Sequence, residues 1–315
     1  GEIDNLSKII KPDLGLITNI SYAHSKNFKN IKQIADAKAE IMNNIKKNGI
    51  IVLNGDDHFF HYLKGLALKK KLKVISFAIK NKSSEIKLLN VKKIKNKYEL
   101  FINVNNNKLS FYTKNNNKNN LYNILATIAS LDTFININNL KKDIFLNINT
   151  PKGRGDIFDV NFENKKIYFV DESYNSNPLS LKSSIENFEK IGSKKSKKYM
   201  FLGDMLELGK HSITQHKLIS KIINKTKINK VYVIGKHIKE TYKGLDPNKK
   251  AKILNNKSDM LKIIKDDFKN GDYLMVKGSN STGLNKFITD LKQRRQNVIW
   301  IIAQLCWELF VSKCF

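Results

Sequence analysis

The sequence predicts an α/β protein built from two units, and three observations support this fold class. Short runs of β-branched and aromatic residues alternate with amphipathic helical patterns, which is typical of mainly parallel sheets. The chain has 315 residues, 41% of them hydrophobic, which is enough for two cores. The segment Pro151-Lys-Gly-Arg-Gly155 has the composition of an interdomain turn. We therefore expect domains over 1–149 and 150–293, followed by an atypical tail over 294–315.

The first unit begins with a strand, helix, strand rhythm. Its expected elements are a strand over 13–20, a helix over 31–45, a strand over 50–53, a helix through Leu66 and a strand over 74–79. His24 lies in the polar loop after the first strand, and Lys38 lies beside the apolar face of the first helix. The second strand ends in Asn54-Gly-Asp-Asp57. This alternation predicts a mainly parallel sheet.

The pattern changes between residues 85 and 113, where short alternating runs are separated by Asn and Lys turns. Runs of this kind predict antiparallel hairpins, here over 98–104 and 108–112. A loop over 115–120, a helix over 121–131 and a second short helix over 140–146 complete the predicted first domain.

The second unit is expected to be a doubly wound, Rossmann-like sheet. The predicted strands are 167–170, 199–202, 231–234, 251–254 and 273–276, each separated from the next by a helix of ordinary length. The Gly-x-Gly-x-x-Gly phosphate loop of dinucleotide-binding proteins is missing from the sequence.

A polar loop follows the first strand of this second unit. It contains Asp171 and Glu172, then two hydroxyl and two amide side chains, and it ends at Asn177 and Pro178, which suit a helix N-cap and first turn. Ligands of open α/β sheets bind beyond the carboxyl ends of the strands, so the two carboxylates are candidate functional groups. The alternative is that these residues simply form a turn.

Other strands of the second unit also end in residues that suit a binding site. Gly203 and Asp204, Gly235, and Lys277-Gly-Ser279 each follow a predicted strand. Because the carboxyl ends of parallel strands meet at one edge of a sheet, we expect these groups to lie near one another.

The net charge of +29 suggests a nucleic-acid-binding protein, but the type of basic residue argues against it. Only three of the 57 basic residues are arginines, and the lysines are spread along the chain. A solvated basic surface is the simpler interpretation, and no nucleic-acid partner is expected. Both cysteines, Cys306 and Cys314, lie in the tail, which fits a reducing cytoplasm. The chain opens on Gly1 without a leader pattern, so we expect an internal part of a longer protein.

Several ordered motifs resemble the Mur ligase family. Asp-Glu-Ser-Tyr-Asn-Ser-Asn-Pro over 171–178, Leu-Gly-Asp-Met-Leu-Glu-Leu-Gly over 202–209 and Val-Lys-Gly-Ser-Asn-Ser-Thr-Gly-Leu over 276–284 resemble its C-terminal domain. Ile-Thr-Asn-Ile-Ser-Tyr-Ala-His over 17–24 and Ile-Ala-Asp-Ala-Lys-Ala-Glu-Ile over 34–41 resemble its central ATPase domain. The resemblance implies part of a central ATPase domain followed by a Rossmann-like C-terminal domain.

The resemblance also implies a reaction. Among family members, these motifs are most similar to those of ligases that join D-alanyl-D-alanine to UDP-N-acetylmuramoyl-tripeptide in peptidoglycan precursor synthesis. ATP would phosphorylate the carboxylate of the tripeptide, and the amine of the dipeptide would then expel phosphate. Positioning and charge neutralisation matter most in such a transfer. ATP and Mg²⁺ are the implied cofactors, and the two peptide compounds are the implied partners.

The family's functional residues map onto individual positions here. His24 and Lys38 match its magnesium-binding histidine and a lysine that is carbamylated in several members, and with Glu172 they are the implied catalytic residues. The implied nucleotide-binding residues are Asn120, Asn123, Arg154, Asp171, Glu172 and Asn175. The implied substrate residues are Asn177, Asp204, Lys277 and Ser279. Many relatives have Asp where Glu172 stands, which leaves open which of the two carboxylates acts. From the residues alone, a loop histidine, a surface lysine and helix-capping asparagines are the competing interpretations.

Two features depart from the family pattern. The glycine-rich loop ending in Gly-Lys-Thr or Gly-Lys-Ser is missing, since Gly209-Lys210 and Gly235-Lys236 are each followed by histidine. We therefore expect no ligase activity from the chain as it stands, and tripeptide-dependent ADP release would contradict this. The tail over 294–315 carries both tryptophans and suggests foreign sequence; its apolar run is too short to span a bilayer comfortably, so no stable membrane insertion is expected.

Three alternatives to this function stay open. They are a non-catalytic remnant, a basic nucleic-acid-binding protein, and another ligase of the superfamily such as a folylpolyglutamate synthetase. Salt-dependent binding of nucleic acid would favour the second, and the motif over 202–209 argues against the third.

Overall fold

The computed structural model describes residues 1–22, 25–148, 151–162, 164–193, 195–256 and 258–293. Contacts between Cα atoms divide the chain into two compact units, Gly1–Asn149 and Thr150–Phe315. In each unit, the part of the chain that the structure describes forms one six-stranded sheet.

The described residues of the first unit form four α-helices and a sheet in which the strands follow chain order. The helices are α1 (Glu2–Ile10), α2 (Ile31–Ala39), α3 (Phe60–Lys69) and α4 (Lys118–Leu131). The strands are β1 (Leu14–Ile17), β2 (Ile50–Asn54), β3 (Lys73–Ala78), β4 (Ile86–Ile94), β5 (Lys97–Val104) and β6 (Asn107–Thr113). β1 to β4 pair in parallel, whereas β4, β5 and β6 pair antiparallel.

The first sheet is covered on both faces. Along β2, Val52 packs into a cluster with Leu125 of α4, whereas Ile51 packs into a cluster with Leu63 of α3. Alternate side chains of a strand point to opposite faces, so α4 covers one face and α2 and α3 cover the other. Polar residues at the ends of β2 and β3 are thereby left at the carboxyl edge of the sheet.

The second unit is a doubly wound sheet with strand order β11-β10-β9-β12-β8-β7. Its strands are β7 (Asp156–Phe162), β8 (Lys165–Asp171), β9 (Lys198–Gly203), β10 (Lys230–Ile234), β11 (Lys250–Leu254) and β12 (Tyr273–Lys277). Its helices are α5 (Pro178–Phe188), α6 (Ser212–Asn224), α7 (Lys239–Lys243) and α8 (Ser258–Asp267), and a further helix covers residues 284–293. All neighbouring strands are parallel except β7 and β8.

Aromatic side chains fill much of the second core. Phe169 stacks on Phe158 with ring centroids 5.3 Å apart, and Tyr199 stacks on Phe268 at 4.0 Å. The neighbouring Val170 is also buried, on the opposite face of β8. Burial on both faces explains the nearly continuous apolar runs of these strands.

The structure confirms the fold class and most elements predicted from the sequence. The five predicted strands of the second unit are β8 to β12, and Asn177 caps α5 in a capping box with Ser180. The parallel arrangement of the first sheet and its antiparallel hairpins are also confirmed. Of the helices described, none combines the length and hydrophobicity that a membrane span requires.

Some element boundaries and one helix that we predicted from the sequence were wrong. β1 ends at Ile17, α2 ends at Ala39 and gives way to a 3-10 turn, and α4 already begins at Lys118 because Asn117 caps it. The helix expected over 140–146 is a series of turns. Its Lys142 carbonyl accepts a hydrogen bond from the Tyr112 N–H of β6 at 2.6 Å, so pairing with a strand replaces helical bonding. α1 and β7 were not foreseen.

Candidate functional site

The carboxyl edge of the second sheet brings together polar residues from three strand ends. Asp171 closes β8, Lys277 closes β12, and Asp204 directly follows β9. These strands are adjacent and parallel in the order β9-β12-β8. Hydrogen bonds join the loops after these strands, so the polar residues lie together at one edge, as the sequence predicts.

Lys277 supports the loop after β8 from inside the protein. Only 2% of this residue is exposed, and its Nζ donates to the carbonyl of Asn175 at 2.9 Å. The same atom lies 3.4 Å from Oε2 of Glu172. Burial lowers the pKa of the Lys277 ammonium, and the Glu172 carboxylate opposes that shift. Lys277 therefore fixes the loop that carries Glu172 and Asn175.

The two adjacent carboxylates differ in how fully they are engaged. Oδ1 of Asp171 accepts from the N–H and hydroxyl of Ser173 at 3.1 and 2.6 Å, and Oδ2 accepts from Nζ of Lys292 at 2.7 Å. Glu172 is partly exposed, and its Oε1 has no hydrogen-bond partner among the described residues. The geometry thus makes Glu172 the carboxylate that is free to meet a ligand.

Lys292 is a residue that the sequence did not single out. Asp156 and Asp171 lie directly opposite each other on β7 and β8, where like charges repel. Nζ of Lys292 lies 2.7 Å from Asp171 and 3.3 Å from Asp156, which offsets that repulsion. No sequence pattern links a lysine in the last described helix to two strand carboxylates.

Asp204 organises the loop after β10. Its buried carboxylate accepts from the N–H of Lys236 at 3.0 Å and of Ile238 at 2.7 Å. Its backbone carbonyl accepts from the N–H of Ser279 at 2.9 Å. The side chain is therefore committed to holding a neighbouring loop in place, and a substrate contact from Asp204 stays a prediction.

Ser279 and Asn177 are likewise tied into the edge. Oγ of Ser279 accepts from the N–H of Leu206 at 2.8 Å and lies 3.3 Å from the carbonyl of Ser176. The side chain of Asn177 accepts from the N–H of Ser180 at 2.9 Å. Beside them, the buried hydroxyl of Ser176 has no hydrogen-bond partner among the described residues. A buried polar atom normally has a partner, so this unpaired hydroxyl is a candidate ligand contact.

His216 is a second residue that sequence reasoning missed. Its ring is fully buried, Nε2 accepts from the N–H of Met205 at 3.0 Å, and Nδ1 donates to the carbonyl of Ser212 at 2.8 Å. The neutral imidazole thus holds the residue after Asp204. Burial lowers the pKa of His216, and His237 lowers it further, whereas the bond to Ser212 and the charges of Asp204 and Glu240 oppose the shift.

We expect the second unit to lose stability in acid because of His216. Its pKa is lowered from the ordinary 6.5 in the folded chain, so below pH 6.5 the unfolded chain takes up a proton that the folded chain does not. Its contribution is complete above pH 6.5 and decreases by up to about 1.4 kcal/mol per pH unit below it. Urea unfolding of the native chain and of His216→Phe between pH 5 and 7.5 measures this. The variant should show a flatter pH dependence than the native chain. Equal slopes in the two proteins would contradict the assignment.

Arg154 and Asn175 lie beside this edge. Arg154 belongs to the turn before β7, and its guanidinium carbon lies 4.4 Å from the ring centroid of Tyr174. The Asn175 side chain is exposed and accepts from the N–H of Ser176 at 2.8 Å. The second unit therefore holds eight predicted site residues in one region: Arg154, Asp171, Glu172, Asn175, Asn177, Asp204, Lys277 and Ser279.

In the first unit, Lys38 lies at the carboxyl edge of the first sheet. Its Nζ donates to the carbonyl of Asn19 at 2.8 Å, and burial lowers its pKa while Asp57 opposes the shift. Asp57 in turn accepts from the N–H of Ile20 at 2.7 Å. A lowered pKa increases the neutral amine fraction, which is the form that reacts with carbon dioxide.

Asn120 and Asn123 lie in the first two turns of α4. The amide nitrogen of Asn120 donates to Thr113 Oγ1 at 3.1 Å and to the Asn115 carbonyl at 2.5 Å, whereas Asn123 is exposed. The cap of α4 is Asn117, so neither residue is needed as an N-cap. Both remain predicted adenine contacts.

His24 lies outside the described residues, as does the tail over 294–315. Within the described part of the chain, no group of three or more His, Cys, Asp or Glu side chains has the geometry to hold a metal ion.

Comparisons with known proteins agree with the motifs. The Mur ligase middle domain matches residues 1–131, and the Mur ligase glutamate ligase domain matches residues 154–280. A UDP-N-acetylmuramoyl-tripeptide--D-alanyl-D-alanine ligase of Rickettsia prowazekii is 30% identical over 295 residues, covering 91% of this chain and 63% of that protein. The Bacillus subtilis ligase of the same name is 28% identical, covering 92% of this chain and 62% of that protein. The chain thus spans somewhat under two thirds of these relatives.

Solved structures show the same fold. MurF from Acinetobacter baumannii superposes with a TM-score of 0.78 at 20% identity, covering 92% of this chain and 62% of that one. MurF from Thermotoga maritima in complex with ADP gives a TM-score of 0.76 at 21% identity, covering 94% of this chain and 65% of that one.

Proposed function

Because this chain belongs to the Mur ligase family, we propose that it supplies the middle and C-terminal parts of an ATP-dependent ligase that joins D-alanyl-D-alanine to UDP-N-acetylmuramoyl-tripeptide. Relatives named for that reaction align with more than nine tenths of the chain. The reaction uses ATP, which implies a cytoplasmic protein. A peptidoglycan precursor ligase is the function that the motifs and the relatives support together.

One observation in the structure carries the proposal. The loop over 171–178 is held against the ends of β9 and β12 by buried contacts, with Lys277 bonded to Asn175 and Ser279 near Ser176. Rigid support of this kind is what a ligase that works by positioning requires. The atoms at this edge with unused hydrogen-bonding capacity include the Arg154 guanidinium, Oε1 of Glu172 and the Ser176 hydroxyl.

The residues of this edge fit a phosphorylated nucleotide and its metal. The guanidinium of Arg154 is exposed and forms no hydrogen bond or ion pair within the described part of the chain, so its donors are free for phosphate oxygens. Glu172 has a free oxygen, the type of ligand that Mg²⁺ prefers. Bound ATP would supply the phosphoryl group that activates the peptide carboxylate. The part of Arg154 is to neutralise charge on the phosphates, and that of Lys277 is to keep Glu172 in place.

Lys38 fits a metal site only after modification. An ammonium repels a cation, whereas a carbamate on Nζ would present oxygen atoms. The lowered pKa of Lys38 favours the reactive neutral amine, and its Asn19 contact holds Nζ close to the loop that leads to His24. We propose Lys38 and His24 as magnesium-site residues on this basis and on the family resemblance.

The acceptor dipeptide is assigned to the same edge of the second sheet. Asp204, Lys277 and Ser279 are engaged in holding loops, so their part in dipeptide binding is to shape the site. The buried Ser176 hydroxyl and the remaining amide groups of Asn175 and Asn177 offer hydrogen bonds to a small dipeptide.

Calorimetry with two acceptors tests the proposal. D-alanyl-D-alanine is titrated into the chain in the presence of ADP and Mg²⁺, and L-alanine, the substrate named for a related family of ligases, serves as the comparison. We expect the dipeptide to bind at least about tenfold more tightly, which corresponds to about 1.4 kcal/mol. Equal affinities, or preference for L-alanine, would contradict the proposed acceptor.

A further inference from the structure

Tyr174 combines an exposed ring with a fixed backbone. Half of the residue is exposed, at 50%, although it lies in a loop whose neighbours Ser173 and Ser176 are buried. The guanidinium carbon of Arg154 lies over this ring, 4.4 Å from its centroid. A guanidinium at this distance from an aromatic face is attracted by the ring quadrupole.

The turn that carries Arg154 is fixed to the loop that carries Tyr174. The N–H of Tyr174 donates to the carbonyl of Gly153 at 3.1 Å, and the N–H of Gly155 donates to the carbonyl of Asp171 at 2.7 Å. Gly153 has φ +76°, and a Cβ there would lie 2.8 Å from the Tyr174 nitrogen. Only glycine allows so close an approach. Arg154 is thus anchored on both sides to the loop whose Tyr174 ring its guanidinium contacts.

The contact with the Tyr174 ring gives the guanidinium no oxygen acceptor. Arginine has five N–H donors, and they remain available for an anion. The Arg154 guanidinium has no hydrogen bond or ion pair to any described residue, so the ring is the group that restrains it. A long side chain restrained in this way loses less conformational freedom when it binds an anion.

We propose that Tyr174 is a positioning residue that holds the guanidinium of Arg154 ready for the phosphates of the nucleotide. This inference rests on the proposed function, since it takes Arg154 as the phosphate contact. The tyrosine hydroxyl plays no part in it, so the aromatic ring alone accounts for the effect.

Nuclear magnetic resonance tests the positioning directly and without ligand. The chain has only three arginines, Arg154, Arg294 and Arg295, so its Nε–H signals are few and are assigned by single substitutions. We expect the Nε–H order parameter of Arg154 to stay the same in Tyr174→Phe and to fall clearly in Tyr174→Leu. An order parameter that is unchanged in Tyr174→Leu would overturn the inference. Because Tyr174 is half exposed, the leucine variant should remain folded, and its unfolding midpoint is measured as a control.

Ligand affinity then separates this inference from the proposed function. ADP and adenosine are titrated into the native chain and into Arg154→Ala, Tyr174→Phe and Tyr174→Leu. We expect Tyr174→Leu to weaken ADP binding roughly two- to fivefold, the range of an exposed cation–π contact, without changing adenosine binding. Tyr174→Phe should keep the native ratio of ADP to adenosine affinity. General damage to the loop would instead change this ratio in both Tyr174 variants.

The two failures give different results. If Arg154→Ala leaves ADP affinity unchanged, the phosphate assignment of the proposed function is wrong. If Arg154→Ala weakens ADP binding while Tyr174→Leu does not, the nucleotide site stands and the positioning role of Tyr174 is wrong.

Discussion

Replacing Lys277 by methionine is expected to lower the free energy of unfolding of the second unit by about 3 kcal/mol. Methionine has a similar length and fills the same space, so the loss comes from the ammonium. The substitution leaves the Asn175 carbonyl without its donor and Glu172 without its partner. Removing one member of a buried ion pair typically costs about 3–5 kcal/mol, and the partial exposure of Glu172 places this pair at the lower end.

A second substitution shows whether the charge pair is responsible. Adding Glu172→Gln to Lys277→Met removes the unpaired carboxylate, and we expect the double variant to recover at least about 1 kcal/mol. The exposed Lys286→Met change serves as a matched control and should stay within about 0.5 kcal/mol of the native chain. Urea unfolding of the native chain, Lys277→Met, Glu172→Gln and the double variant gives the cycle. Simple additivity would show that Lys277 and Glu172 do not interact, and a Lys277→Met variant as stable as the native chain would show that the ammonium does not support the loop.

Gly235→Ala is expected to be the second large perturbation, at about 3 kcal/mol or more. Gly235 has φ +135°, a backbone conformation that residues other than glycine rarely adopt. A Cβ there would lie 2.5 Å from Oδ1 of Asp204. The Asp204 carboxylate would have to move away from the N–H groups of Lys236 and Ile238, which donate charge-assisted hydrogen bonds to it.

Gly271 provides a control for the backbone conformation alone. It has φ +87°, but a Cβ there meets nothing within 4 Å, so Gly271→Ala should cost only the conformational strain of about 1–2 kcal/mol. Thermal or urea unfolding of both variants measures the difference. Equal losses would show that Asp204 is not held tightly in the loop after β10.

The fold was predictable from the sequence where buried strands require runs of apolar residues. β8, β9, β10 and β12 each contain consecutive buried residues, so their apolar runs stood out against polar loops. β7 was not predicted, although its polar residues alternate with buried ones, as at Asp159 and Asn161, in the pattern of a strand with one exposed face. The residues over 140–146 have an apolar spacing that suits a helix, but a long-range bond from Tyr112 to Lys142 decides their structure.

The sequence predicted where the candidate site residues lie but not which other residues they contact. Strand ends placed Asp171, Asp204 and Lys277 at one edge from sequence alone. The engagement of Asp171 by Lys292, and of the Met205 N–H by His216, depends on contacts between elements far apart in the chain. That engagement is what separates Glu172, which has a free oxygen, from Asp171, which has none. Local sequence carries no information on such contacts, so the sequence left the choice between the two carboxylates open.

Mapping of backbone amide shifts on addition of D-alanyl-D-alanine shows whether the carboxyl edge of the second sheet binds the ligand of a ligase. We expect the largest shifts in the loop over 171–178 and in residues 277–279, with unchanged signals at the opposite edge, where Asp272 receives the N–H groups of Lys197 and Lys269. Shifts concentrated around Asp272, or no shifts at dipeptide concentrations well above those that saturate a ligase, would contradict the account.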